Sequence, residues 1–112
     1  MNARREVRLW VAQRLTAFVL AACVTVHLAT IILAVRGGLT AGEILDRTRG
    51  SLALAAFYGT FVVAAAVHGT IGLRNIASEW LGWRGPAADL VLAAFALGLA
   101  GLGFRAVWAV YA

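Results

Sequence analysis

The sequence predicts an all-α integral membrane protein of three transmembrane helices with a cytoplasmic N-terminus, and three observations carry that reading. Of the 112 residues, 62% are hydrophobic and 13% charged, against roughly 45–50% and about 25% in a soluble domain. A chain this short cannot bury that much apolar surface in water, and it is too apolar to stay solvated as a disordered one. The charges also punctuate the chain, leaving three long apolar runs with arginines at their ends, as expected where charge sets membrane topology. The net charge of +5 is therefore not a nucleic-acid surface, since its arginines flank apolar segments instead of clustering.

Each run can be taken in order. Residues 15–35, between Arg14 and Arg36, carry no formal charge, nor do residues 50–73, between Arg49 and Arg74. Both meet the length of about 20 residues that a spanning helix needs. A third run follows Pro86 and Asp89 and is interrupted only by Arg105, whose long side chain can snorkel to a headgroup. The helices are expected near residues 9–35, 51–76 and 87–110, within one membrane domain covering 1–112. The first run follows a basic start but exceeds the roughly 7–15 residues of a cleavable signal, so it is expected to remain as a helix. The stretch GEILDRT between the first two runs is expected to form a short interfacial helix, with Gly37, Gly38 and Gly50 supplying turns. Gly98, Gly101 and Gly103, and the Ala65-x-x-x-Gly69 pair, are expected to bring helix backbones close.

Arginine counting sets the orientation. Arg4, Arg5, Arg8, Arg14, Arg74 and Arg84 fall on one side and Arg36, Arg47, Arg49 and Arg105 on the other, which places the N-terminus inside. Trp10, Trp80 and Trp83 would then mark the cytoplasmic interface, and Trp108 and Tyr111 the outer one. Arginine in place of lysine, with abundant alanine and glycine, points to a GC-rich bacterial genome, hence to the bacterial inner (cytoplasmic) membrane.

Ionisable residues inside a bilayer call for a purpose. From His68, helical steps of 4, 7 and 11 reach Gly72, Asn75 and Glu79, and backward steps reach Ala64 and Phe61, all on one face. A mid-membrane histidine with a glycine one turn away suits axial ligation of a flat haem lying against the helix. Spacing alone favours a histidine hydrogen-bonded to a neighbouring helix. His27 is expected at a similar depth to His68 on an antiparallel helix, which makes a bis-histidine haem within one chain conceivable. It lies about 220° around its helix from Arg14, however, and so is expected to serve packing or an inter-helix hydrogen bond. Arg14 can address a propionate or a quinone with its fixed charge and five donors, or act as a headgroup anchor. Cys23 fits a small core residue.

Two stretches carry a family resemblance. Trp10–Ala17 (WVAQRLTA) and His68–Trp80 (HGTIGLRNIASEW) resemble the small hydrophobic membrane anchor of succinate dehydrogenase, the family of cytochrome b small subunits. That family has three transmembrane helices, a Q-R-x-T-A-type opening, and a His, a Gly four later, and an acidic–aromatic pair eleven and twelve later. The resemblance implies that His68 is an axial ligand of haem b iron, with Gly72 packing against the haem and the second ligand coming from a partner cytochrome b chain. It implies that Glu79 and Trp80 lie beside ubiquinone at the interface with the iron–sulfur subunit, and Arg14 in the haem-propionate or quinone region. Here Glu79 replaces the usual aspartate. Trp80 replaces the usual tyrosine and offers an indole donor without a phenol's proton relay.

The resulting expectation is a membrane-anchor subunit of a succinate:quinone oxidoreductase. Succinate would be oxidised on a flavoprotein subunit, and electrons would pass through an iron–sulfur subunit to ubiquinone. This chain, which has neither dinucleotide motif nor a cysteine set for a cluster, would do no succinate chemistry itself. The competing expectations are the anchor of a fumarate-reductase-type or divergent flavoprotein complex, a haem-free structural subunit, and a small proton- or substrate-translocating protein using Arg14, His68 and Glu79.

Overall fold

The computed structural model describes residues 2–112, which form four helices: α1 (Ala3–Gly37), α2 (Ala41–Thr48), α3 (Leu52–Leu81) and α4 (Pro86–Tyr111). Three of them, α1, α3 and α4, are long and apolar enough to cross a membrane. The molecule is 50 Å long, close to the ~52 Å that 35 residues of helix span at 1.5 Å each. That exceeds the roughly 30 Å of a hydrocarbon core, so the helix ends stand in the headgroup layers.

The helices outrun their expected limits for this reason. The charge-free runs mark hydrocarbon, whereas arginine and glutamate are good helix formers and continue each helix into the interface. Helix α1 begins six residues early, where the Asn2 side chain accepts from the Arg4 N–H. Helix α3 continues to Leu81 and stops at Gly82, whose φ of 64° closes the end while the Trp83 N–H reaches the Ala77 carbonyl at 2.9 Å. That bond, reaching back six residues, needs a left-handed residue, which glycine adopts without a Cβ clash. Helix α4 starts with Pro86 in its first turn, where a missing N–H costs nothing.

The expected short helix between the first two spans is present as α2. Thr40 and Glu43 form a reciprocal capping box at 3.1–3.2 Å, which explains how eight residues hold a helix. Its Ile44, Leu45 and Thr48 side turns inward. Thr48 donates to the Val110 carbonyl at 2.8 Å, and the Gly50 N–H reaches the Tyr111 carbonyl at 2.8 Å. These bonds tie α2 to the end of α4.

Helix α3 lies in the middle, packed on α1 along one side and α4 along the other. The buried residues are Cys23, Ala64, Ala66, Ile71, Ala77, Ala88 and Leu92, mostly small, so the helices meet through their backbones. Large apolar side chains face outward instead, Phe18, Leu90, Leu97 and Trp108 among them. That is the distribution expected where lipid or other helices are the solvent. The α1 stripe Glu6, Leu9, Gln13, Thr16, Leu20, Cys23, His27 and Thr30 repeats at alternating steps of three and four, and every member is half-buried or buried. This stripe is the face that α1 packs against α3, and its three-four spacing is that of a coiled-coil seam.

The glycines divide unexpectedly. A Cβ at Gly103 would lie 2.5 Å from Cγ1 of Val62, so that glycine sets the α3–α4 approach. Gly59 stands near Phe104 and Gly69 near Leu99 in the same interface. Gly98 and Gly101 are exposed, with nothing within 4 Å of a would-be Cβ. They lie on the outer face of α4 and do not bring helices of this chain together, contrary to expectation. Small residues permit a close contact without saying which neighbour makes it.

Candidate functional site

One end of the bundle gathers the polar residues that the sequence singles out. Glu6, Leu9, Trp10, Gln13 and Arg14 from α1, with Ile71, Asn75 and Glu79 from α3, line an open cleft of about 430 Å³. The guanidinium of Arg14 stacks over Trp10, 5.3 Å from the ring centroid, which holds a long cation at the rim. Glu6 pairs with Arg74 at 2.8 Å, fastening α1 to α3 beside the cleft. The Oε1 atom of Gln13 is buried without a hydrogen-bond partner. A primary amide both donates and accepts, so the cleft holds a fixed cation, an amide and a carboxylate within one space. Trp83 belongs to the same end, where it lines a small hollow with Arg5, Arg84 and Asp89. Trp108 and Tyr111 meet at the opposite end, their rings tilted at 41°, so the aromatic residues separate as expected.

His68 lies one level deeper and does not line the cleft. It is half-buried, with Nδ1 3.2 Å from Oγ1 of Thr16 on α1. Gly72 sits between His68 and the cleft, where a Cβ would meet the Gln13 amide at 3.5 Å, an ordinary contact. Nothing in the chain's own packing therefore requires glycine there. Glu79 lies in the cleft, whereas its neighbour Trp80 is 82% exposed and points away from it.

His27 occupies a separate place. Its Nδ1 lies 3.4 Å from the Tyr58 hydroxyl, and its ring meets Tyr58 and Phe61 edge-on, both centroids 5.7 Å away. The expected packing and inter-helix role is thus what the structure displays. The expected common depth with His68 is not. His68 is level with Thr16 and His27 with Tyr58, an offset of ten or eleven residues, or about 15–16 Å of helix. No single iron can take both. Counted from the arginines that bracket the spans, His27 lies nine residues from Arg36 and His68 nineteen from Arg49, so plain antiparallel pairing of those ends already sets the two histidines at different depths.

Sequence reasoning passed over Thr16 and Glu6 as partners of His68 and Arg74. The signal was available in the three-four stripe of α1, whose polar members at 6, 13 and 16 share the face that carries Cys23 and His27.

Residues 1–104 match the succinate dehydrogenase/fumarate reductase transmembrane subunit family. The chain belongs to that family. No curated protein and no solved structure matches the chain significantly. The anchor is thus the transmembrane subunit of a succinate dehydrogenase or fumarate reductase complex, which by family includes flavoprotein and iron–sulfur subunits. It is a multi-pass protein of the respiratory-complex membrane, and its family commonly binds haem b and quinone.

The residues present in the anchor fit both groups. Toward haem, His68 uses only Nδ1 within the chain, leaving Nε2 for iron, and Gly72 keeps the adjacent helix surface free of side-chain bulk. Toward quinone, Arg14 and Gln13 offer donors to a carbonyl oxygen, and Glu79 offers an acceptor to a hydroxyl.

Proposed function

We propose that this chain is the small cytochrome b anchor of a bacterial succinate:ubiquinone oxidoreductase. It joins a second cytochrome b chain in holding haem b and helps pass electrons from the iron–sulfur subunit to ubiquinone. The observation that carries the reading is the cleft that places Arg14 and Glu79 together on α1 and α3, one level from His68. A bound haem b would supply one-electron exchange between ferric and ferrous iron. His68 would hold it through Nε2, and Gly72 would leave room for the ring. Arg14 and Gln13 orient a quinone oxygen, and Glu79 accepts a hydrogen bond from the quinol or holds its proton. Trp80, exposed beside Glu79, offers its indole to the iron–sulfur subunit. A proton-conducting path through Arg14, His68 and Glu79 fits less well, because the cleft lining ends at Ile71 and Gln13 without reaching His68.

The test is quinone-reductase kinetics of the complete complex purified from membranes. Arg14→Ala and Glu79→Gln are each expected to lower kcat/KM for quinone about 10- to 150-fold, equivalent to the roughly 1.5–3 kcal/mol of a hydrogen bond to a charged group. Succinate oxidation with an artificial acceptor should be unchanged. Unaltered quinone kinetics, or inhibitor cross-linking only near Arg36–Arg49, would refute the site, and a complex that only reduces fumarate would replace the assigned direction.

Six arginines against four, with Trp10, Trp80 and Trp83 at the cleft end, orient that end toward the cytoplasm. Reporter fusions in the loop around Glu43 are expected to be active only outside. Cytoplasmic activity there would reverse the orientation.

A further inference from the structure

The hydroxyl of Thr16 has one proton to give and two lone pairs to offer. It gives the proton to its own helix, donating to the Ala12 carbonyl at 2.8 Å with the Gln13 carbonyl at 3.1 Å. The same oxygen lies 3.2 Å from Nδ1 of His68, across the α1–α3 seam. With its proton committed to the backbone, the hydroxyl meets the imidazole only as an acceptor. Nδ1 must then carry the ring's hydrogen, and in a neutral imidazole this leaves Nε2 with an open lone pair.

We propose that Thr16 is the positioning residue of His68, fixing its imidazole as the Nδ1–H tautomer and thereby selecting Nε2 as the nitrogen that binds haem iron. The assignment rests on the haem reading above. It also sets the ligand's strength. A hydrogen-bond acceptor behind a histidine ligand raises its basicity and fixes its ring orientation, and a neutral hydroxyl does so less than a carboxylate. Basicity at the axial ligand is one of the protein's levers on haem potential. Without the acceptor, the imidazole donates less to ferric iron and the ferrous state gains, so the potential rises. Thr16 acts through His68.

Three variants of the complete membrane complex test this, read by redox titration of the haem absorption band and by electron paramagnetic resonance. Thr16→Val keeps the shape and removes the acceptor. It is expected to raise the midpoint potential and alter the low-spin signal while the haem remains bound. Thr16→Ser is expected to restore wild-type values, and Thr16→Asp to shift the potential the opposite way. If Thr16→Val disturbs assembly, Thr16→Ala removes the same acceptor with less bulk. Wild-type potential and signal in both would overturn the proposal. The imidazole is also read directly on the dithionite-reduced complex, by nitrogen-15 resonance of labelled histidine. Iron on Nε2 itself forces the proton onto Nδ1, so the haem-bound reading is the Nδ1 shift: a shift that moves in Thr16→Val supports the assignment, and one that stays at its wild-type value overturns it. Where no haem is bound, the same resonance reads the tautomer, and a proton on Nε2 overturns the assignment. A complex without a b-type spectrum would defeat the haem reading while the tautomer of His68 still decides the role of Thr16.

Discussion

His68→Leu is expected to abolish the low-spin b-type haem signal of the complex, whereas His27→Leu is expected to leave it intact. Leucine keeps an apolar, helix-favouring residue at position 68, so the anchor can still assemble while one imidazole is gone. The haem should then be lost, become high-spin or move in potential, since axial ligation sets all three. His27 cannot substitute. It lies about 15–16 Å away along the helix axis and its Nδ1 faces the Tyr58 hydroxyl at 3.4 Å. Absorption and paramagnetic resonance spectra of the two purified variants decide the matter. Retention of the low-spin signal in His68→Leu with its loss in His27→Leu would reverse the assignment.

A large structural penalty is expected at Gly103, within the α3–α4 interface. A methyl group there would stand 2.5 Å and 2.8 Å from the two Cγ atoms of Val62, and 3.2 Å from its Cβ. Since that Cβ is fixed by the helix, rotating the valine does not relieve the clash, and α3 and α4 must separate. Overpacking of this kind costs typically about 1–3 kcal/mol. Gly103→Val adds further bulk and should lower the thermal midpoint of the purified complex or prevent assembly. Val62→Ala should restore much of the loss in Gly103→Ala. Gly59→Ala, in the same interface, is the control, because its Cβ would meet Phe104 at an ordinary 3.5 Å. Equal stability of Gly103→Val and Gly59→Ala would contradict the packing described.

The spans were legible because charge is so costly in hydrocarbon that Arg14, Arg36, Arg49 and Arg74 had to bracket them. The helix ends were not, because the same rule is silent once a helix leaves hydrocarbon, and Glu6 is helical for reasons that involve Arg74 on another element. The His68 face was legible from its own periodicity, since Gly72, Asn75 and Glu79 lie on one helix with it. The depth of His27 was legible too, since it stands nine residues from Arg36 while His68 stands nineteen from Arg49, a count that the expected common depth missed. Gly103 and Gly98 look alike in sequence. Only the position of Val62 tells them apart.

The two ends of the bundle are fastened by different means. At the cleft end, Arg5 meets Asp89 and Arg74 meets Glu6, charge pairs that are partly exposed and weakened by salt. At the other end, Thr48 and Gly50 bond neutral backbone carbonyls of α4, which mobile ions do not screen. Raised ionic strength should therefore loosen the molecule from one side only, with the α2 end acting as a fixed pivot. The side that gives way is the one that holds the cleft between α1 and α3, so the ion pairs that fasten the bundle there also set how readily that cleft widens.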